Sequence, residues 1–135
     1  MKTISQAISV INHASQRGSI RAVALYSKQT LQICKFLYKY GYLSGYNVLV
    51  KRNKKGERRM YVEIYLTYYR NRPVLGRIFR ISHMGHHRYF TCRELRQKIA
   101  QDRILYIVST NKGWMTINDC IKRGIGGELL FGVFS

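Results

Sequence analysis

The residue pattern of this 135-residue chain predicts an α+β fold in two small lobes, an N-terminal αβαββ lobe and a C-terminal mainly β lobe with short helices. Three observations carry that prediction. Ile4, Ala7, Ile8 and Ile11 recur at the spacing of one helix face. Met60, Val62, Ile64 and Leu66 alternate with Arg59, Tyr61, Glu63 and Tyr65, as a half-buried strand requires. The only proline, Pro73, ends a basic stretch, residues 69–73, that reads as a domain boundary, so the lobes are expected at residues 1–70 and 71–135.

The elements follow in order. Thr3 is placed to cap a first helix running to about residue 14, which Gly18 and Ser19 end. Residues 20–25 read as a strand. Ser27 caps a second helix to about Tyr40, with Ile33, Phe36, Leu37 and Tyr40 on the buried stripe and Lys28, Gln32, Lys35 and Lys39 opposite; Gly41 stops it. Strands at residues 46–51 and 58–68 flank Asn53-Lys54-Lys55-Gly56 as a hairpin. Beyond the boundary, residues 74–82 and 86–91 read as strands and residues 93–100 as a short helix. Residues 104–109 form a continuous apolar strand suited to burial on both faces. Thr116 with Asp119 resembles a capping box for a helix ending at Gly124, and residues 128–134 close the sheet.

Charge bounds the partner. Lys and Arg number 24 against 6 acids, a formal +18 with pI near 10.3, which points to a dense polyanion and first to nucleic acid. Residues 1–103 carry 21 of those basic residues and four acids, net +17, while residues 104–135 net only +1. The C-terminal end must therefore work by hydroxyls, backbone N–H groups and close fit rather than by long-range attraction. A membrane reading needs a long apolar run or one amphipathic basic helix, and the sequence has neither.

Cys34, Cys92 and Cys120 are odd in number and lack a Cys-x-x-Cys pair, so reduced, buried thiols are expected rather than disulfides or zinc. Six scattered acids cannot assemble the carboxylate cluster of a metal-dependent nuclease, and His83, His86 and His87 have no carboxylate or cysteine set beside them in sequence, so no catalytic residue, metal or cofactor is expected. Gly124-Ile125-Gly126-Gly127 is no dinucleotide loop, because Leu129 replaces the third glycine and the order runs from helix to strand. Residues 1–19 are acid-free, serine-containing and amphipathic like a mitochondrial presequence. The same stripe suits a core-facing helix, and with only Lys2 and Arg17 basic we expect it to be kept in the mature protein.

Ser109-Thr110-Asn111-Lys112-Gly113 places two hydroxyls, an amide and an amine after a strand, with Gly113 for a tight turn; the alternative is an ordinary polar turn into a helix. Eleven tyrosines offer stacking surfaces, although alternating strand tyrosines are ordinarily core-edge residues. Together, Val108-Ser109-Thr110-Asn111-Lys112-Gly113-Trp114-Met115-Thr116 and Gly124-Ile125-Gly126-Gly127-Glu128 resemble the C-terminal signature of the small-subunit ribosomal protein eight family. Tyr40-Gly41-Tyr42-Leu43 is similar to its Glu-Gly-Phe-Ile, and Ser82 and Gly85 match its Ser-Arg-Pro-Gly with Met84 in place of proline. Gly85-His86-His87-Arg88-Tyr89 stands where the family has Gly-x-Arg-x-Tyr.

The resemblance implies a non-enzymatic, structural component of the small ribosomal subunit that binds the central domain of small-subunit rRNA early in assembly, beside proteins five, twelve and seventeen. Its implied RNA contacts are Tyr89, Ser109, Thr110, Asn111, Lys112, Gly113, Gly124, Gly126, Gly127 and Glu128. Gly126 and Gly127 would allow close approach of RNA or simply turn the chain after the helix. Glu128 would accept from a base edge or a 2′-hydroxyl, or orient a cation such as Lys112. Where bacterial members read Thr-Arg-Ile-Arg-Asn-Gly, this chain has Ser9-Val10-Ile11-Asn12-His13-Ala14, leaving Asn12 and His13 as the contacts on the first helix. Richness in Ile, Tyr, Lys and Phe with a single proline favours a mitochondrial ribosome, with plastid or bacterial cytoplasm as alternatives. The rival function is a free RNA-binding regulator or maturation factor. Neither a membrane nor a small-molecule substrate is expected.

Overall fold

The computed structural model describes residues 2–82, 85–101 and 104–134, and these divide into two compact units, one up to residue 76 and one from residue 77. The architecture is α+β in both.

In the first unit α1 (Lys2–Arg17) leads into β1 (Arg21–Leu25), α2 (Lys28–Lys39), β2 (Leu43–Arg52) and β3 (Arg58–Leu66). The strands form an antiparallel sheet in the order β1-β3-β2. The helical stripe is the core: Ile4, Ala7, Ile8, Ile11 and Ala14 are buried, as are Val62, Ile64 and Leu66 of β3, while the alternate β3 residues Tyr61 and Tyr65 stay half-exposed. Ser27 caps α2, its hydroxyl accepting from the Thr30 N–H at 3.0 Å. The α2 stripe is Thr30, Ile33, Cys34 and Leu37; Tyr40 is exposed because the helix ends at Lys39 and Tyr40 is its C-cap.

Residues 69–73 have regular structure of their own. They fold within a two-stranded ribbon, β4 (Tyr68–Tyr69) with β5 (Arg72–Pro73), closed by Arg70 and Asn71, both left-handed at φ 51 and 65. Two positive-φ residues in a two-residue loop are the geometry that matches strand twist.

In the second unit β6 (Arg77–Arg80), β7 (Tyr89–Phe90), α3 (Cys92–Gln101), β8 (Leu105–Thr110), β9 (Gly113–Thr116), α4 (Ile117–Arg123) and β10 (Gly127–Phe134) follow. The sheet runs β6-β10-β8-β9, with β7 also paired to β10. Residues 74–82 and 86–91 are thus strands over only part of their expected lengths. Tyr106, Ile107 and Val108 are buried in succession, as the apolar run predicted; Tyr106, Val108 and Leu129 pack with Leu95, Ile117 and Cys120. Thr116 caps α4 through the Asp119 N–H, and Gly124 closes it in the left-handed conformation. Cys92 is half-buried rather than buried, and all three thiols are free; burial pushes the Cys34 thiol up to about 12.

Candidate functional site

The second unit brings seven of its ten predicted residues to one groove. The register sets Tyr89 of β7 and Ser109 of β8 on either side of Glu128 in β10, and Trp114 of β9 opposite Ser109. Directly opposed residues project from the same face, so Tyr89, Glu128, Ser109 and Trp114 form one row across four strands. An open groove of about 490 Å³ is lined by Tyr89, Ser109, Thr110, Asn111, Ile125, Gly126, Gly127 and Glu128.

The glycines are dictated by the protein's own backbone. A Cβ on Gly126 would collide with the Phe90 carbonyl oxygen and stand 2.9 Å from Thr91 Cα; one on Gly127 would collide with the Ser109 carbonyl oxygen and stand 2.9 Å from Val108 Cγ1. Glycine at both places lets β10 start pressed between β7 and β8, which brings the row together. The helix-capping turn belongs to Gly124 alone, which does not line the groove.

The polar segment after β8 is not a turn into a helix, as one reading of the sequence had it. Thr110 pairs with Gly113 across a tight β8–β9 hairpin, and Gly113 has φ 101, so Ser109 and Thr110 are strand residues and Asn111 and Lys112 are the exposed tip. The Thr110 hydroxyl donates to the Gly113 carbonyl at 2.8 Å and accepts from the Lys112 N–H at 3.1 Å, so it braces the turn. Lys112 and Gly113 lie at this tip but not on the groove lining.

Glu128 is held by a group the sequence reading did not pair with it. His87 Nδ1 lies 2.5 Å from Glu128 Oε2, in place of the Lys112 partnership considered above. The Glu128 side chain is 13% exposed, whereas Tyr89 is 71% exposed and tilts over His87 at a ring separation of 6.4 Å. A mostly exposed ring beside a nearly buried, engaged carboxylate offers a stacking face next to a fixed acceptor. His83 and Met84 lie outside the described residues.

Asn12 and His13 belong to the first unit. His13 is exposed and lines a separate groove of about 420 Å³ with Gln6, Ser9, Arg17 and Arg21, which restores to this helix region the arginines that the motif at residues 9–14 lacks. Asn12 is half-buried and does not line it. Beside it, Arg21 and Glu63 form an ion pair, and Tyr65 and Arg21 hold the Glu63 carboxyl below the usual carboxylate range by hydrogen bonding. Among the described residues no helix is long and apolar enough to cross a membrane, and no group of three or more His, Cys, Asp or Glu is placed to hold a metal.

A small, strongly basic α+β protein with a groove of hydroxyls, an amide, backbone, one carboxylate and one exposed aromatic has the make-up of a nucleic-acid binder. Residues 2–134 match the family described as Ribosomal protein S8. The small ribosomal subunit protein uS8 of Ehrlichia chaffeensis is 36% identical over 112 residues, covering 83% of this chain and 81% of that protein. The uS8 of Nitratiruptor is 33% identical over 135 residues, covering 97% and 96%, and that of Bartonella bacilliformis 35% over 124, covering 92% and 90%. The chain belongs to the ribosomal protein S8 family, a structural, non-enzymatic component of the small ribosomal subunit.

Proposed function

We propose that this chain binds the central domain of small-subunit rRNA early in assembly, beside small-subunit proteins five, twelve and seventeen. The observation that carries it is the row of Tyr89, Glu128 and Ser109 above a groove edged by Thr110, Asn111 and two backbone-packed glycines. Exposed aromatic, hydroxyl and amide groups on one rigid sheet can stack on an unpaired base and bond 2′-hydroxyls or base edges. The lobes at residues 1–70 and 71–135 divide the work: the first supplies most of the charge and, with Asn12 and His13, a supporting contact, and the second supplies the specific grip. A mitochondrial ribosome is the proposed location, on composition alone; the relatives named above are bacterial proteins.

Ser109→Ala is the direct test, because Thr110 has a bracing role and Ser109 stands in the row itself. Binding of the central-domain rRNA should weaken by about 1–3 kcal/mol with unfolding unchanged. Thr110→Ala should in addition loosen the hairpin, and Thr110→Ser should restore it. Wild-type affinity in Ser109→Ala would remove the grip. Native protein that leaves the small subunit in a high-salt wash would favour the free regulator instead.

A further inference from the structure

The β2–β3 hairpin carries a feature that its own stability does not favour. Across its end Lys51 is paired directly with Arg59, and the next pair is Arg52 with Arg58. Like charges directly opposed in an antiparallel ladder destabilise it, and here two such pairs are adjacent. All four side chains are exposed. Residues 51–59 hold six basic residues and one acid, Glu57, net +5. That single carboxylate accepts from Asn53 Nδ2 at 3.3 Å, within the turn.

The turn itself is closed by hydrogen bonds of its own. Asn53 Oδ1 accepts from the Lys55 and Glu57 N–H groups, both at 2.9 Å, the Gly56 N–H bonds the Asn53 carbonyl, and Gly56 takes φ 79. Lys54 and Lys55 are thereby held at the tip, where with Arg59 and Tyr61 they edge an open groove of about 350 Å³. A hydrogen-bonded tip that keeps repulsive pairs breaks a local stability rule, as functional sites do.

We propose that the β2–β3 hairpin tip is a second RNA-binding site, separate from the C-terminal groove, that takes the phosphate backbone of rRNA. The proposal rests on the reading that rRNA is the ligand. Successive residues of a strand project to opposite faces, so the Lys51–Arg59 pair is on one face of the ribbon and the Arg52–Arg58 pair on the other. Cations on both faces suit insertion between phosphates on two sides, as an RNA groove provides; a flat acidic protein surface would meet only one face. Bound phosphates offset the cross-strand repulsion, so the hairpin tightens on binding.

The test uses the full chain and small-subunit rRNA from the same organism, with affinity measured across salt. Arg58→Thr with Arg59→Thr should weaken binding on the order of tenfold or more near 0.1 M salt and flatten the log–log salt slope by about 1.4–1.8. The same change should raise the Tm of the free protein at low salt, because the repulsion is gone. Lys51→Thr with Arg52→Thr repeats the measurement from the other strand if the first variant fails to fold. Lys28→Gln with Lys35→Gln removes equal charge from exposed positions on α2 and should cost much less. A wild-type slope, or an equal loss in the α2 control, would overturn the site. So would unchanged rRNA binding with lost binding of polyglutamate, which would mark a protein partner. Ser109→Ala run in parallel lowers affinity without altering the slope, so failure of the groove and failure of the hairpin are read separately.

Discussion

Gly127 shows how a single atom sets the site. Its missing Cβ leaves room for the Ser109 carbonyl, and the same closeness aligns Glu128 with Ser109 and Tyr89. Both neighbours are backbone or strand-fixed, so Gly127→Ala must push β10 off β8. It should destabilise the protein by about 1–3 kcal/mol, in the range of overpacked cores, and weaken rRNA binding more than Ser109→Ala does. Equal stability in thermal unfolding would show that the strands can part without cost. Glu63 makes a residue-scale claim about pH. Tyr65 first, then Arg21, hold its carboxyl below the pKa of about 4.3 that it has in an unfolded chain. Its contribution to stability is complete above that value and is lost as pH falls through the lower, folded one. Tyr65→Phe removes the largest cause, so the Glu63 carboxyl should titrate higher by NMR and acid unfolding should begin at a higher pH; an unmoved titration would contradict the assignment. At this scale the sequence was legible where chemistry is local. Ser109, Thr110, Asn111 and Tyr89 were identifiable as candidates from residue type and motif. His87 as the partner of Glu128 was not, because 41 residues separate them and only strand pairing brings them together. Nor could the sequence say why Gly126 and Gly127 must be glycine.

Elements were readable in proportion to their periodicity. The two N-terminal helices and the β2–β3 hairpin were placed within a few residues because each has a long apolar pattern and its own stop signal. β4, β5 and β7 are two residues long and β9 four, and such pieces are fixed by the strand they pair with rather than by propensity. One cap escaped notice although it was written locally. Thr91 and Glu94 form a reciprocal box at the start of α3: the Thr91 hydroxyl accepts from the Glu94 N–H at 3.2 Å, and a Glu94 carboxylate oxygen accepts from the Thr91 N–H at 3.0 Å. The box sits immediately after β7, so it anchors the strand that carries Tyr89. Thr91→Ala should cost about 1 kcal/mol of stability, Thr91→Ser should recover most of it, and both are read by denaturant unfolding. A neutral Thr91→Ala would mean that pairing with β10, not the cap, holds β7 in place.

At the scale of the whole molecule, charge acts on stability and on binding with opposite sign. At +18 the isolated chain repels itself, and its six acids are too few to neutralise that field locally: Arg21 pairs with Glu63, and Glu128 is engaged by His87. Salt screens the repulsion over a Debye length of about 10 Å at 0.1 M, so the Tm of the free protein should rise as salt is added. The same salt competes with the protein for phosphates. With roughly 5–10 phosphate contacts the log–log slope of rRNA affinity should be about −4 to −9. The two measurements made on one preparation therefore diverge, with the folded state gaining where the complex loses. The physical consequence is that rRNA is itself the stabilising counter-charge: at low salt, bound RNA should raise the Tm well above the free value, and that difference should shrink as salt increases until the two curves meet. A free-protein Tm that falls with salt, or an RNA affinity independent of salt, would break the electrostatic account, since both follow from the same excess of lysine and arginine.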